Sequence, residues 1–359
     1  MILTNIQSRG ALEESTNMNF SAVTPKNGGT VYLSNDEVTE FIKNYEVGSS
    51  KKYYGAGDHY AMKGVTLQWD SKVDANTYKI VLADNAGFVN ATTYDVVEKT
   101  LKIEDLFVST KYYWKVGTVQ NGAVTDWSNV YTFTTLNSPR TIEIDGVSNT
   151  RDLGGLKTTD GKYMKQSVVY RAAYLDEVTQ TGIAQALDKF GIKTDLDLRG
   201  AVDGIARTGS PLGDGVKYIN ISAPWYLTGG DGMYSAEGKN ALAKALRVFA
   251  DETNYPILFH CSVGRDRTGT LALLLQALCG ARKEDIYMDY EMSFFSVRGC
   301  LDGAKPNTML SLFTPLYEYI ANFGTGKTLA ENCEQFILSL GLTQQEILKI
   351  KANLLETKE

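Results

Sequence analysis

Polar and apolar residues alternate along the first third of the chain. Val65-Thr66-Leu67-Gln68-Trp69 is followed by a turn at Asp70-Ser71 and then by Tyr78-Lys79-Ile80-Val81-Leu82. Tyr78, Ile80 and Leu82 share one face, as do Tyr112, Trp114 and Val116 further on, which is the period of a half-buried strand. With Val130 to Thr134 these short segments predict an all-β sandwich, interrupted by a helical insertion from Asn35 to Tyr45. Past Asn137-Ser138-Pro139 the pattern changes. Apolar runs at 141–144, 167–170, 193–198, 216–221 and 257–260 predict strands. Helical spacing covers 241–249, 268–278, 286–295, 309–320, 329–340 and 344–355, and Leu242, Leu246 and Phe249 line one face of the first. The expected architecture is therefore an extension at 1–21, a β-sandwich at 22–137 and an α/β domain at 138–359.

Composition narrows the chemistry. With 359 residues and 43% hydrophobic content, two domains with ordinary cores are expected. The 42 acidic against 36 basic side chains give no support to bulk nucleic-acid binding. Two His and no Cys-x-x-Cys pair make a zinc site hard to assemble, which argues against most metallohydrolases. No apolar run is long enough to span a membrane, and the first residues lack the pattern of a secretory signal. All four cysteines, Cys261, Cys279, Cys300 and Cys333, lie in the last hundred residues, with spacing unlike a disulfide scaffold.

One segment concentrates reactive groups: Ile257-Leu258-Phe259-His260-Cys261-Ser262-Val263-Gly264-Arg265-Asp266-Arg267-Thr268-Gly269. An apolar strand enters a glycine-containing loop that opens an apolar helix, so unpaired loop and helix amides converge on one anion site. A cysteine at the head of that loop sits in positive potential, which favours the thiolate. Arg267 can return across the loop as a planar fork for two phosphate oxygens. Thr268 places a hydroxyl near the sulfur, and Gly264 and Gly269 permit backbone geometry that side chains would block. A buried structural cysteine beside solvated arginines is the plain alternative, but it does not account for strand, Cys-x5-Arg spacing and Thr-Gly coinciding.

These residues resemble the His-Cys-x5-Arg-(Ser/Thr) signature of the Cys-dependent tyrosine phosphatases. Cys261 to Gly269 looks like the bacterial members that carry an Asp beside the loop Arg. Asn149-Thr150-Arg151-Asp152-Leu153-Gly154-Gly155, Tyr170-Arg171-Ala172-Ala173-Tyr174-Leu175 and Asp197-Leu198-Arg199 are similar to further motifs of that group, with Asp203 where a Glu is usual. The resemblance covers about residues 140–357. It implies a metal-independent phosphomonoesterase without a cofactor, acting through a phosphocysteine on Cys261. Arg267 and the loop residues Ser262, Val263, Gly264 and Arg265 would hold the phosphoryl group, and His260 would position Cys261. The strands before residue 137 resemble a fibronectin type III domain in their Trp, Tyr, Tyr-rich and Tyr-x-Phe order.

The general acid has two candidates, Asp266 within the loop and Asp231 in the Gly229-Gly230-Asp231-Gly232 stretch, and Asp266 is preferred. Arg265 stands where the group commonly has Lys, so it would favour doubly charged head groups or face solvent. Arg151 is expected to tie the early motif to the site, as a salt bridge at least as readily as a functional contact. Asp195-Leu196-Asp197 superficially resembles an aspartyl-phosphate motif but is followed by Arg199 at the wrong place, and Gly324 to Thr328 lacks the first glycine of a nucleotide loop. A phosphorylated protein is the expected substrate, with a phosphoinositide or inositol phosphate as the alternative. An adhesion or phosphate-binding protein is the non-enzyme alternative. Analogy with bacterial sandwich modules points to an extracellular or surface location.

Overall fold

The computed structural model describes residues 19–53, 62–73, 75–200, 203–205, 207–224 and 235–358. It divides into two compact units. Among the described residues the first holds nine strands, β1 Phe20–Thr24, β2 Gly29–Val31, β3 Val65–Ser71, β4 Thr77–Ala83, β5 Thr92–Val96, β6 Thr100–Ile103, β7 Lys111–Gln120, β8 Ala123–Trp127 and β9 Tyr131–Thr135. They form two antiparallel sheets, β1-β3-β6 and β2-β9-β7-β4-β5, with β8 paired to β7. The alternation in the sequence becomes the inner face: Leu67, Ile80, Trp114, Val116 and Phe133 are fully buried. Trp69 of one sheet lies 5.6 Å from Tyr78 and 6.4 Å from Trp114 of the other, ring centre to ring centre.

The first unit is not the continuous 22–137 that the pattern suggested. Residues 32–53, 62–64 and 104–109 group with the second unit. The reason is a helix, α1 (Asp36–Lys43), capped by the Asn35 side chain at the Val38 amide. Its buried Val38 and Phe41 pack with Met288, Met292 and Phe295.

The second unit is α/β. Its sheet runs β10 (Arg140–Thr141), β11 (Arg151–Asp152), β13 (Val169–Ala172), β16 (Ile257–His260), β14 (Thr194–Asp197), β15 (Lys217–Asn220), and a separate small pair joins β12 (Tyr163–Met164) to β17 (Leu355–Glu356). The last four strands of the main sheet are parallel; β13, β16 and β14 are buried along their whole length, while β15 at the sheet edge is partly exposed. The strand expected at 141–144 is shorter, because only Arg140 and Thr141 pair with β11. Helix α2 (Gln180–Ala184) is followed by α3 (Ala236–Val248), α4 (Asp266–Leu278), α5 (Lys283–Glu291), α6 (Pro306–Ala321), α7 (Leu329–Ser339) and α8 (Gln344–Leu354). From Arg267 to Leu278 every residue of α4 is buried, so it is the central helix of the unit and lacks the polar stripe of a surface helix.

Candidate active site

Parallel pairing sets Ala172 and Asp197 beside His260, so the ends of β13, β16 and β14 are level. The loop from Cys261 to Arg265 leaves at that edge, where ligands of open parallel sheets commonly bind. The Tyr174 amide donates to the Ser262 carbonyl, at 3.4 Å, and the Asn149 side chain donates to the Val263 carbonyl, at 3.0 Å. Gly264 has a φ of +69°, and a Cβ there would stand 2.4 Å from the Ala172 carbonyl oxygen. No other residue fits that position without moving backbone.

Cys261 closes the strand and is 1% exposed. The preceding His260 is buried, and its Nε2 lies 2.9 Å from an Asp195 oxygen. Burial opposes its charge, but the Asp195 carboxylate, with Asp197 behind it, outweighs this and raises the imidazole above its ordinary value. The pair Asp195-x-Asp197, unconvincing as a nucleophile motif, thus orients the histidine beside the thiol.

Arg267 lies under the loop. Its two terminal nitrogens meet both oxygens of Asp203, at 2.7 and 2.6 Å, and Nη2 also donates to Ser262 Oγ at 3.1 Å. Asp203 accepts from Ser262 Oγ and from the Gly200 amide as well. Burial pushes its carboxyl up, yet the Arg267 fork and these donors win and hold it well below the usual carboxylate range. Thr268 is fully buried at the start of α4, and its hydroxyl has no partner among the described residues.

Arg265 departs from expectation. It neither faces solvent nor reaches out as a head-group ligand: it is 4% exposed, forks onto both oxygens of the neighbouring Asp266 at 2.8 and 3.0 Å, and donates to the Gly299 carbonyl. Burial opposes its charge, but Asp266 raises it above the ordinary guanidinium value. Asp266 is therefore at the loop but engaged. Asp231, the competing acid, lies outside the described residues.

Arg151 sits behind the loop, where its Nε meets Asp289 at 2.7 Å and its Nη1 meets the Asn149 side-chain oxygen at 2.6 Å. Arg171 shares Asp289 and donates to the Gly264 carbonyl at 2.8 Å. Burial and the like charge of Arg151 push Arg171 down to about 10, against the support of Asp289. Asp289, in α5, carries no local sequence signal and was not anticipated. Off the loop, a cleft of about 460 Å³ is lined by Ile144, Asp145, Ser148, Glu177, Val297 and Arg298 among others. On one side Arg298 pairs with Glu177 at 2.6 Å and covers the Tyr174 ring at 4.3 Å.

The described residues hold no cluster suited to a metal ion. The assembly sets a buried thiol at the head of the loop, a guanidinium fixed on Asp203 and a carboxylate held by Arg265.

A family model described as tyrosine phosphatase family matches residues 142–356. A Cupriavidus necator protein that carries the name of a tyrosine-protein phosphatase is 27% identical over 170 residues, which is 42% of this chain and 61% of the relative. The match thus spans less than two thirds of that relative's length. Among solved structures, the core catalytic domain of the PP-IP phosphatase Siw14 from S. cerevisiae, in complex with citrate, is 19% identical over 42% of this chain and 84% of its own, with a TM-score of 0.28. A second structure of the Siw14 catalytic core is 16% identical over 48% and 95%, with a TM-score of 0.27.

Proposed function

The chain belongs to the tyrosine phosphatase family, and from that premise we propose that it hydrolyses phosphate monoesters, phosphotyrosine in proteins first, through a phosphocysteine on Cys261. The observation that carries this reading is the Cys261–Arg267 loop between β16 and α4, closed on Asp203 and seated on Gly264.

In the first step the Cys261 sulfur attacks phosphorus, the S–P bond forms and the ester P–O bond breaks. Loop amides and Arg267 stabilise the equatorial oxygens. To face the phosphoryl group, the Arg267 fork keeps one edge on Asp203, which fixes its plane. The leaving oxygen needs a proton, and Asp266 is the proposed donor. Its oxygens are held by Arg265, so delivery requires that fork to release one of them. Water then attacks phosphorus and passes its proton to the Asp266 carboxylate left by the first step; the P–S bond breaks, and the sulfur departs as a thiolate toward the Thr268 hydroxyl, which has no partner among the described residues. The sequence of steps calls for no metal.

A phosphoinositide or inositol phosphate is the alternative substrate for the same chemistry. We read the all-β unit as fibronectin type III-like, on the order of its Trp69, Tyr78, Trp114 and Phe133 strands, and place the protein outside the cell or at its surface. Among the described residues no helix is long and apolar enough to cross a membrane. The test is hydrolysis of p-nitrophenyl phosphate in EDTA by the wild type and by Cys261→Ser, followed by a panel of phosphotyrosine peptides and phosphoinositides. Turnover that survives in the serine variant, or that stops in EDTA, sinks the mechanism. Preference for the lipids reverses the substrate order.

A further inference from the structure

Beneath the phosphate loop the buried charges do not balance. Arg151, Arg171 and Asp289 are 1%, 0% and 3% exposed. Among the described residues both guanidinia form ion pairs with Asp289 and with no second carboxylate. The remaining contacts of Arg151 go to neutral oxygens of Asn149 and Ser293 and to the Asp289 carbonyl. Arg171 gives Nη2 to the Gly264 carbonyl, and its buried Nε has no partner among the described residues. The trio therefore carries one positive charge in excess and one idle donor. A buried charge in that state calls for a counter-ion.

The surrounding groups offer few candidates. From α4, Arg265 and Asp266 neutralise each other. From α5, the Tyr290 hydroxyl is held well above its usual range by burial and is neutral. On β16, His260 is engaged with Asp195, with Asp197 at 3.8 Å. Cys261 remains, at the head of the loop that Arg171 holds by its bond to the Gly264 carbonyl.

We propose that Arg171 is a positioning residue of the catalytic loop: anchored on Asp289, it fixes the Gly264 carbonyl and supplies the buried positive charge that a Cys261 thiolate balances. The inference rests on Cys261 being the nucleophile. It assigns Asp289 the opposite electrostatic sign, since removing that carboxylate leaves the buried Arg151 and Arg171 without their shared anion.

The test is the rate of Cys261 alkylation by iodoacetamide in the full chain, followed by mass spectrometry of the Cys261 peptide. The rate at about pH 6 is divided by the alkaline plateau of the same variant, which isolates thiolate content from access. Arg171→Gln leaves Arg151 and Asp289 as a neutral pair, and the ratio should fall about tenfold. Arg171→Lys keeps the charge and should stay within about threefold of wild type. Asp289→Asn should leave the ratio unchanged or higher. Thermal unfolding of each variant identifies any that does not fold, and the Lys-against-Gln contrast decides if Asp289→Asn is lost. An unchanged ratio in Arg171→Gln overturns the proposal, as does an equal fall in all three variants, which would mark plain structural damage. The expected pattern in a chain that leaves every phosphomonoester intact supports the counter-charge and sinks the hydrolase reading instead.

Discussion

Replacing Gly264 by Ala tests whether the phosphate loop is held by contact with β13 or only by its own conformation. Two costs add. The backbone there is left-handed, with φ at +69°, and a Cβ raises that conformation by about 1–2 kcal/mol. The methyl would also stand 2.4 Å from the Ala172 carbonyl oxygen and 2.6 Å from the Ala173 nitrogen, against ordinary contact beginning at 3.4 Å. Relief requires the loop to move by about 1 Å, which breaks the Arg171 bond to the Gly264 carbonyl. A hydrogen bond from a charged donor contributes about 1.5–3 kcal/mol, so the total loss of stability is about 2.5–5 kcal/mol. For turnover, a displacement of about 1 Å at the nucleophile costs on the order of 100-fold. The comparison is Gly161→Ala, where φ is +88° and nothing lies within 4 Å of the added carbon. That variant carries strain alone, about 1 kcal/mol, and should keep its activity. Steady-state hydrolysis of p-nitrophenyl phosphate and urea unfolding measure both quantities. A Gly264→Ala enzyme within about twofold of wild-type turnover would refute the contact reasoning.

Other expectations follow from the same geometry. Asp203→Asn removes the charge that meets both terminal nitrogens of Arg267, and kcat should fall roughly 10- to 100-fold with a smaller change in KM; equal kinetics would detach Asp203 from the site. Glu291→Ala strips the acceptors of the Tyr45 hydroxyl, the Gly48 and Ser50 amides and the Ser50 hydroxyl. Leaving those donors buried should cost roughly 3–6 kcal/mol, read as a lower urea midpoint; a shift under about 1 kcal/mol would mean that water replaces the carboxylate. His260 is raised above its ordinary value by Asp195. Its contribution to stability is therefore complete below about pH 6.5 and fades as pH rises through the folded value. The unfolding free energy should fall across that window in wild type and flatten in Asp195→Asn; parallel slopes would exclude this pair as the source.

How much of this was legible in the sequence depends on how far apart the interacting residues lie. The strand, the loop and helix α4 are contiguous, and their geometry follows from local periodicity and from unpaired amides at a helix start. Cys261, Arg267 and Thr268 could therefore be singled out, and the structure sets Cys261 directly after β16 and Arg267 and Thr268 in the first turn of α4. Helix α1 was legible too, as the helical insertion from Asn35 to Tyr45, but its partners Met288, Met292 and Phe295 were not. Local pattern marks which face is apolar and does not say what covers it. Arg265 failed for a related reason: an Arg in a loop reads as solvated until the Gly299 carbonyl and Asp266 are found around it.

The charges that balance the loop are the least local of all. Asp289 lies 118 residues from Arg171 and 138 from Arg151 in sequence. In α5 it occupies an ordinary helical position between Met288 and Tyr290. No motif can announce such a residue, because its role is defined by an electrostatic sum over separate elements rather than by spacing. Two residues further on, Glu291 holds residues 45–50 by the same means, a buried carboxylate wrapped in donors. The final turn of α5 thus anchors the inserted segment with one carboxylate and the Arg151–Arg171 pair with the other. A change that moves this turn should reach both, so Glu291→Ala is expected to loosen residues 45–50 and lower turnover together, although no atom of that segment touches Cys261 in the hydrogen bonds described. Hydrogen exchange and kinetics on that one variant decide it: loosening with full activity would confine α5 to a structural role.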